Sequence, residues 1–93
     1  MIKYTVKVQN RAGIHARPAM VLVKTTLNFK SSINIEKEGN LINAKSILGV
    51  ITLAATFGTE LTIIADGEDE KEAIAAVLAL FNNKFEEEEW ASG

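Results

Sequence analysis

Apolar and polar residues alternate along the first segment of the chain. Between Ile2 and Val8 every second side chain is apolar, and the residues between them are polar. A period of two with one apolar face is typical of a half-buried β-strand. The polar stretch 10–13, which contains Gly13, is expected to end this strand in a loop. The predicted apolar face comprises Ile2, Tyr4, Val6 and Val8.

A helix is predicted to begin between Ala16 and Pro18 and to end at about Leu27 or Phe29. Proline is accepted in a first helical turn because the amide hydrogen that it lacks would have no acceptor within the helix there. Spacings of three and four residues predict one apolar face along this helix. That face is predicted to contain Ala16, Ala19, Met20, Val23 and Leu27.

The middle of the chain predicts a hairpin followed by a short helix. Residues 32–36 and 41–44 have the composition of short strands, and residues 38–40, with a central glycine, suit a hairpin turn. Ser46 then occupies the position of a helix N-cap before an apolar run that ends at Leu53. That run by itself fits either a strand or a helix. The cap and the alanines that follow favour a helix.

The last third of the chain predicts a strand over 59–65 and then the clearest helix of the sequence. The apolar stripe of this helix comprises Ile74, Val77, Leu78, Phe81 and Phe85. The acidic residues at its start, where the helix dipole favours negative charge, are Glu68, Asp69, Glu70 and Glu72. Four glutamates over 86–89 lie at the unfavourable end, so the helix is expected to fray there. We therefore expect a single domain over 1–85 and an acidic tail over 86–93.

The predicted order of elements is β-α-β-β-α-β-α. Short strands, each with one apolar face, favour a single antiparallel sheet with the helices packed on one face. The expected fold class is α+β. A sheet of four strands covered by three helices on one side accounts for every predicted element.

Length, net charge and cysteine content exclude several kinds of site and partner. The chain has 93 residues, of which 47% are hydrophobic, so it suits one compact domain with a small core. A net charge of −2 gives no indication of nucleic acid or an anionic membrane as a partner. The absence of cysteine excludes disulfides, thiolate chemistry and cysteine-type zinc sites. No signal peptide or membrane-spanning run is recognised, so a cytoplasmic protein is expected.

The candidate chemistry lies where the first loop meets the first predicted helix. His15 is the only histidine of the chain, and it stands between Gly13 and Pro18 with Arg17 close by. The first amides of a helix point outward and add to a partial positive charge, which makes them an anion site. The guanidinium of Arg17 adds a permanent cation with a forked donor geometry suited to phosphate oxygens.

These features suit a phosphohistidine. A neutral imidazole is a good nucleophile and a good leaving group, and the positive end of a helix favours that neutral form. Phosphoryl transfer mainly requires positioning and charge stabilisation, and this loop provides both. The alternative is an ordinary surface histidine before a helix that Pro18 merely starts. Spacing alone leaves both interpretations open.

Two segments resemble the signatures of one family. Residues 10–19, NRAGIHARPA, resemble the phosphorylation-site signature of HPr, the histidine-containing phosphocarrier of the bacterial phosphoenolpyruvate:sugar phosphotransferase system. Residues 45–54, KSILGVITLA, resemble the regulatory serine segment of the same family. Both lie at family-typical positions without gaps, and the likeness extends to about Phe85. Two motifs at the right separation are more specific than either one.

The resemblance implies a carrier rather than an enzyme. His15 would receive a phosphoryl group on Nδ1 from enzyme I and pass it to an enzyme IIA, serving sugar uptake. The guanidinium of Arg17 and the backbone amides of Ala16 and Arg17 would stabilise the phosphate. The family fold is an open-faced β-sandwich of four antiparallel strands under three helices. The resemblance implies no metal and no organic cofactor. Because transient partners are implied, a monomer is expected.

The resemblance also implies a docking patch and a regulatory site. The apolar residues that match the family's docking patch are Met20, Ile47, Leu48 and Ile51. The alternative is that some of them belong to the core. Helical spacing places Ile47 and Ile51 on one face, so at least one of Val50 and Leu53 is expected to take the opposite, buried face. The expected exposed set is Ile47, Leu48 and Ile51. Ser46, an N-cap worth about 1 kcal/mol, matches a serine that an HPr kinase/phosphorylase modifies in many relatives. A catabolite-control transcription factor is a possible further partner of the serine-phosphorylated form.

Two departures from the family pattern and several competing functions stay open. Ala12 replaces a residue that is polar in many relatives, which puts a side-chain hydrogen bond to His15 in doubt, and the glutamate tail has no assigned role.

The alternative functions are a regulatory paralogue acting as an adaptor, a nitrogen-related phosphocarrier and a small α+β domain that binds an anion at His15. A hydrolase is disfavoured because no second acid or base lies near His15 in sequence.

Overall fold

The computed structural model describes residues 1–83 and 85, and the predicted tail over 86–93 lies outside these residues. Three helices and four strands follow in the predicted order. The strands are β1 (Ile2–Lys7), β2 (Ser32–Lys37), β3 (Asn40–Asn43) and β4 (Glu60–Asp66). The helices are α1 (Ala16–Thr26), α2 (Ile47–Thr52) and α3 (Glu70–Asn82). Each predicted element is therefore present, with bounds that differ by one to a few residues.

The four strands form one sheet in the order β1-β4-β2-β3, and every neighbouring pair is antiparallel. β4 lies in the centre, where alternate residues Leu61, Ile63 and Ala65 are buried under the helices. The register partners of Ala65 and Ile63 in β2 are Ile33 and Ile35, which are buried in the same layer. The opposite face of the sheet is mostly polar. This is the predicted α+β open-faced sandwich, with all three helices on one face.

The turn between β2 and β3 follows from its sequence. Lys37 pairs with Asn40, so the loop consists of Glu38 and Gly39 alone. Both residues have positive φ, 50° and 86° respectively. Two positive φ values match the right-handed twist of the flanking strands, and glycine reaches them without steric cost. The predicted hairpin is confirmed.

The buried face of α1 differs from the prediction. Met20 and Leu27, which were expected in the apolar stripe, are both more than half exposed. The helix is apolar on more than one side, so spacing alone does not fix its rotation. Thr26, which lies outside the predicted stripe, is buried, and its hydroxyl donates to Ala44 O at 2.8 Å. The face that packs on the core is Pro18, Ala19, Leu22 and Thr26.

Two residues have surroundings that the sequence did not reveal. Tyr4 lies on the predicted side of β1, opposite Ile63, but it remains half exposed because β1 is an edge strand. Asp69 lies at the N-cap of α3, where its charge was expected. Its carboxylate also accepts the Ser31 hydroxyl and the amides of Lys30 and Ser31, the latter two at 2.9 Å. Asp69 therefore ties the α1–β2 connection to the start of α3.

Candidate functional site

The loop before α1 is rigid because it is bonded both within itself and to a second loop. The buried Asn10 side-chain amide donates to Gly13 O, and the Gly13 amide donates to Asn10 O at 3.0 Å. The amide of Ile14, whose side chain is buried, donates to Ala55 O at 2.9 Å. The residue preceding His15 is thus fixed by the core and by the loop that follows α2.

Gly13 is required by a close backbone approach. Its φ is +76°, and a Cβ at this position would lie 2.5 Å from Ala55 O. An L side chain would meet the left-handed backbone penalty and a clash with main-chain atoms together. Sequence reasoning identified Gly13 as a loop residue but missed the role of Asn10. The available signal was an asparagine three residues before a glycine, since asparagine side chains often bond to nearby backbone in turns.

His15 is the N-cap residue of α1 and its side chain is exposed. Its backbone is extended, with φ −99° and ψ −164°, and its carbonyl accepts the Ala19 amide at 3.0 Å. Pro18 has no amide hydrogen. The first-turn amides that the helical ladder does not use are therefore those of Ala16 and Arg17, the two predicted phosphate-stabilising groups. Both residues are exposed beside His15.

The surface around His15 is basic. Arg17 follows it in the first helical turn, and Arg11 is exposed in the preceding loop, whereas Lys24 lies in the last turn of α1. Residues 1–35 contain six Lys and Arg residues and no acidic residue, whereas all twelve acidic residues of the chain lie from Glu36 onward. Cations and helix-end amides together favour the binding of an anion at this end of α1.

Hydrogen bonds at both ends place α1 and α2 side by side and antiparallel. At one end the Lys45 Nζ donates to Phe29 O at 2.7 Å, next to the bond between Thr26 and Ala44. At the other end, Ile14 is bonded to Ala55. α1 and α2, which together carry the four predicted docking residues, are therefore neighbours in the helical layer.

The four predicted docking residues are not equally exposed. Leu48 is 71% exposed, Met20 53% and Ile51 39%. Ile47 is half-buried and packs against the core, so it contributes only part of its side chain to the surface. Val50 and Leu53 take the buried face of α2, as the sequence predicted. A shallow groove adjoins this patch, lined by Ala16, Arg17, Met20, Val21 and Lys24.

Ser46 occupies the N-cap of α2, as predicted. Its Oγ accepts the Gly49 amide at 3.1 Å, and its carbonyl accepts the Val50 amide at 3.0 Å. The side chain is half-buried. The structure thus supports the capping role of the hydroxyl, while its modification stays a prediction.

Other kinds of site receive no support from the described residues. Ala12 is exposed and carries no polar side-chain atom that could bond to His15. Across residues 1–83 and 85, no three His, Cys, Asp or Glu side chains are grouped so that they could hold a metal ion. In the same part of the chain, none of the helices has both the length and the apolar character needed to span a bilayer.

The sequence and the fold match one family over most of their length. The profile described as PTS HPr component phosphorylation site matches residues 2–83. The phosphocarrier protein HPr of Treponema pallidum (strain Nichols) is 48% identical over 88 residues, covering 95% of this chain and 100% of that protein. The HPr-like protein Crh of Bacillus subtilis (strain 168) is 44% identical over 79 residues, covering 85% of this chain and 93% of that protein.

A solved structure supports the same assignment. The crystal structure of HPr-C-His from Thermoanaerobacter tengcongensis superposes with a TM-score of 0.89 at 41% identity, covering 91% of this chain and 96% of that chain. Sequence and fold therefore agree over the same region. The chain belongs to the HPr family of phosphocarriers of the phosphotransferase system.

Proposed function

We propose that the chain carries a phosphoryl group on His15 Nδ1, received from a phosphorylated enzyme I and donated to an enzyme IIA. In each transfer the bond from phosphorus to the donor nitrogen breaks as the bond to the acceptor nitrogen forms. The observation that carries the proposal is the exposed His15 at the N-terminus of α1, beside the amides of Ala16 and Arg17. These amides and the Arg17 guanidinium stabilise the charge of the phosphoryl group.

The rigid loop supports this function because transfer depends on positioning. A bound geometry held within a fraction of an ångström is worth far more to phosphoryl transfer than a flexible one. The bonds from Asn10 to Gly13 and from Ile14 to Ala55 fix the backbone that holds His15. The imidazole then needs only side-chain rotation to meet a partner.

Labelling with phosphoenolpyruvate and a bacterial enzyme I tests the proposal. Wild-type protein should gain one acid-labile phosphate, and His15→Ala should gain none. Asn28→Ala, an exposed substitution at the far end of α1, should label like wild type. Equal labelling of His15→Ala and wild type would remove His15 from its role.

Arg17 is tested separately by its effect on rate. Arg17→Met should slow transfer by about 10- to 100-fold, because one charged donor to the phosphoryl group is lost. Its free energy of unfolding should stay at the wild-type value, since the side chain is exposed. Lys24→Met is the matched control and should slow transfer much less. Loss of the fold in Arg17→Met would show that the residue is structural.

Ser46 is proposed as a regulatory phosphorylation site. A phosphate on a helix N-cap meets favourably oriented amides, so it should leave the fold intact and act by repelling an acidic donor. Incubation with ATP and an HPr kinase/phosphorylase should add one phosphate to wild type and none to Ser46→Ala. A catabolite-control transcription factor would then be a partner of the modified form. Unmodified wild-type protein after this incubation would contradict the proposal.

A purely regulatory, Crh-like role is the second candidate, because the B. subtilis relative carries that description. The presence of His15 and Arg17 favours a carrier, since an adaptor needs no nucleophile. The complete Ser46 segment favours the sugar branch over a nitrogen-related one. We further propose one domain over 1–85 and a cytoplasmic monomer whose complexes are brief.

A further inference from the structure

Asn10 is a buried polar side chain at the beginning of the loop that leads to His15. Among the residues that the structure describes, two further polar residues, Thr26 and Ser31, are buried, and both are bonded elsewhere in the fold. Burying an amide group costs free energy unless it forms hydrogen bonds. The bonding partners of the Asn10 side chain therefore indicate what this residue does.

Two hydrogen bonds join Asn10 to Gly13. The side-chain amide of Asn10 donates to Gly13 O, and the Gly13 amide donates to Asn10 O at 3.0 Å. The segment just before this turn is bonded in its own right, because the Val8 amide donates to Thr59 O at 2.9 Å. Asn10 thus closes a four-residue turn that starts from a fixed point, and the two residues between Asn10 and Gly13 lie at the surface.

The peptide unit between Gly13 and Ile14 is held at both of its edges. Its carbonyl accepts the Asn10 side-chain amide, and its N–H donates to Ala55 O at 2.9 Å. A peptide unit is planar, so one bond at each edge fixes the orientation of the whole plane. The residue that follows this plane is His15, one Cα further along the chain. Asn10 therefore holds the edge of the plane that Ala55 does not hold.

We propose that Asn10 is a positioning residue for phosphoryl transfer at His15, an inference that rests on the proposed function. A side chain with no exposed surface touches neither a partner protein nor the phosphoryl group, so it acts through the backbone that carries the imidazole. Without the bond from Asn10, the peptide unit before His15 can rotate about its remaining bond to Ala55. Transfer rates are sensitive to displacements of about 1 Å. Loss of the Asn10 amide should therefore slow transfer and leave the affinity for enzyme I unchanged.

Single-turnover transfer from phosphorylated enzyme I tests this role. Asn10→Leu keeps the branched shape of the side chain and removes its donor. The maximal transfer rate per folded molecule should fall about tenfold, and the concentration that gives half of this rate should stay within about twofold of wild type. Thr26→Val is the matched control, because it removes a buried hydroxyl, bonded to Ala44 O at 2.8 Å, near the other end of α1. It should lower the free energy of unfolding and leave the transfer rate at the wild-type value.

A third variant distinguishes a hydrogen-bond donor from a group that only fills space. Serine is smaller than asparagine, but its hydroxyl can donate to a carbonyl. Asn10→Ser should therefore transfer faster than Asn10→Leu, whereas a space-filling role predicts the reverse order. Asn10→Ala takes the place of Asn10→Leu in both comparisons if the leucine variant does not fold.

Three results would overturn the role of Asn10 while His15 labelling still stands. They are a wild-type rate in the folded variant that lacks the donor, an equal fall in Thr26→Val, and a slower Asn10→Ser than Asn10→Leu. A wild-type chain that accepts no phosphoryl group would instead overturn the proposed function, and the positioning role with it.

Discussion

Two helix starts in this molecule are built differently. At α2 the Ser46 hydroxyl accepts the Gly49 amide, so a side chain of the protein caps this helix. At α1 the N-cap is His15, whose side chain does not cap the helix in the part of the chain that the structure describes. Histidine is a weak capping residue, and the first-turn amides of α1 lie beside an exposed imidazole. One helix start serves stability, and the other suits an anion.

The segments that precede α1 and α2 also differ in their hydrogen bonds. The loop before α1 is bonded to itself and to Ala55, so its geometry does not depend on a cap. The segment before α2 has a shorter turn, in which the Lys45 amide donates to the Asn43 side chain at 2.9 Å. A helix needs no side-chain cap where other hydrogen bonds already hold the backbone that leads into its first turn. This division lets one small domain keep both a stable and a reactive helix end.

The prediction with the largest expected effect gives α1 the same N-cap residue as α2. His15→Ser should abolish phosphoryl acceptance from enzyme I, because the nucleophile is gone. The same variant should raise the free energy of unfolding by about 0.5 to 1 kcal/mol through the new cap. Labelling and urea denaturation measure the two effects, and His15→Ala should lose labelling without becoming more stable. A less stable His15→Ser would show that the imidazole supports the fold.

The reverse change removes the cap from α2. Ser46→Ala should lower the free energy of unfolding by about 1 kcal/mol, because the Gly49 amide loses its acceptor. Ser46→Asp retains an acceptor, so urea denaturation should find it close to wild type. Thr52→Ala, an exposed substitution at the other end of α2, is the matched control. An unchanged midpoint in Ser46→Ala would mean that water replaces the hydroxyl without loss.

The contribution of Asp69 to stability should be lost in acid. The Ser31 hydroxyl has the largest effect on the pKa of Asp69, and together with the Lys30 amide it lowers that pKa from 3.8 to about 2. A carboxylate with a lowered pKa stabilises the fold above its unfolded pKa, and this stabilisation disappears as the pH falls from about 4 through about 2. Asp69→Asn should therefore lose less stability than wild type between pH 5 and pH 2.

Chemical denaturation across that range measures the effect, which is the smallest of the three. Glu68→Gln is the matched control, because Glu68 is exposed and its carboxylate pairs at the surface with the Lys30 Nζ, 3.3 Å away. Its pH profile should follow that of wild type. Parallel profiles for Asp69→Asn and wild type would place the acid-sensitive group elsewhere.

Much of this architecture was predictable because local rules and tertiary packing agree. Strand alternation, the hairpin turn over 38–40 and the cap at Ser46 all act over a few residues, and the structure confirms each, with a hairpin loop of Glu38 and Gly39 alone. The position of His15 at the start of α1 followed from Gly13 and Pro18 in the same way. Its chemical role came from the resemblance of two segments, and it stays a prediction.

The parts that sequence reasoning missed depend on contacts between distant segments. α1 is apolar on two sides, and only its packing on the rest of the fold shows that the side with Ala19, Leu22 and Thr26 is buried. Asp69 fits a helix start by type, and donors at residues 30 and 31 also bind its carboxylate.

The close approach of Gly13 to Ala55 affects how the family can vary. A surface loop ordinarily accepts almost any residue, yet here one position leaves no space for even a methyl group. Its exposed neighbours Arg11 and Ala12 meet no such restriction. Mutational drift can therefore alter the charge and polarity next to the histidine while the backbone path stays fixed. The site can adapt to new partners without losing its shape.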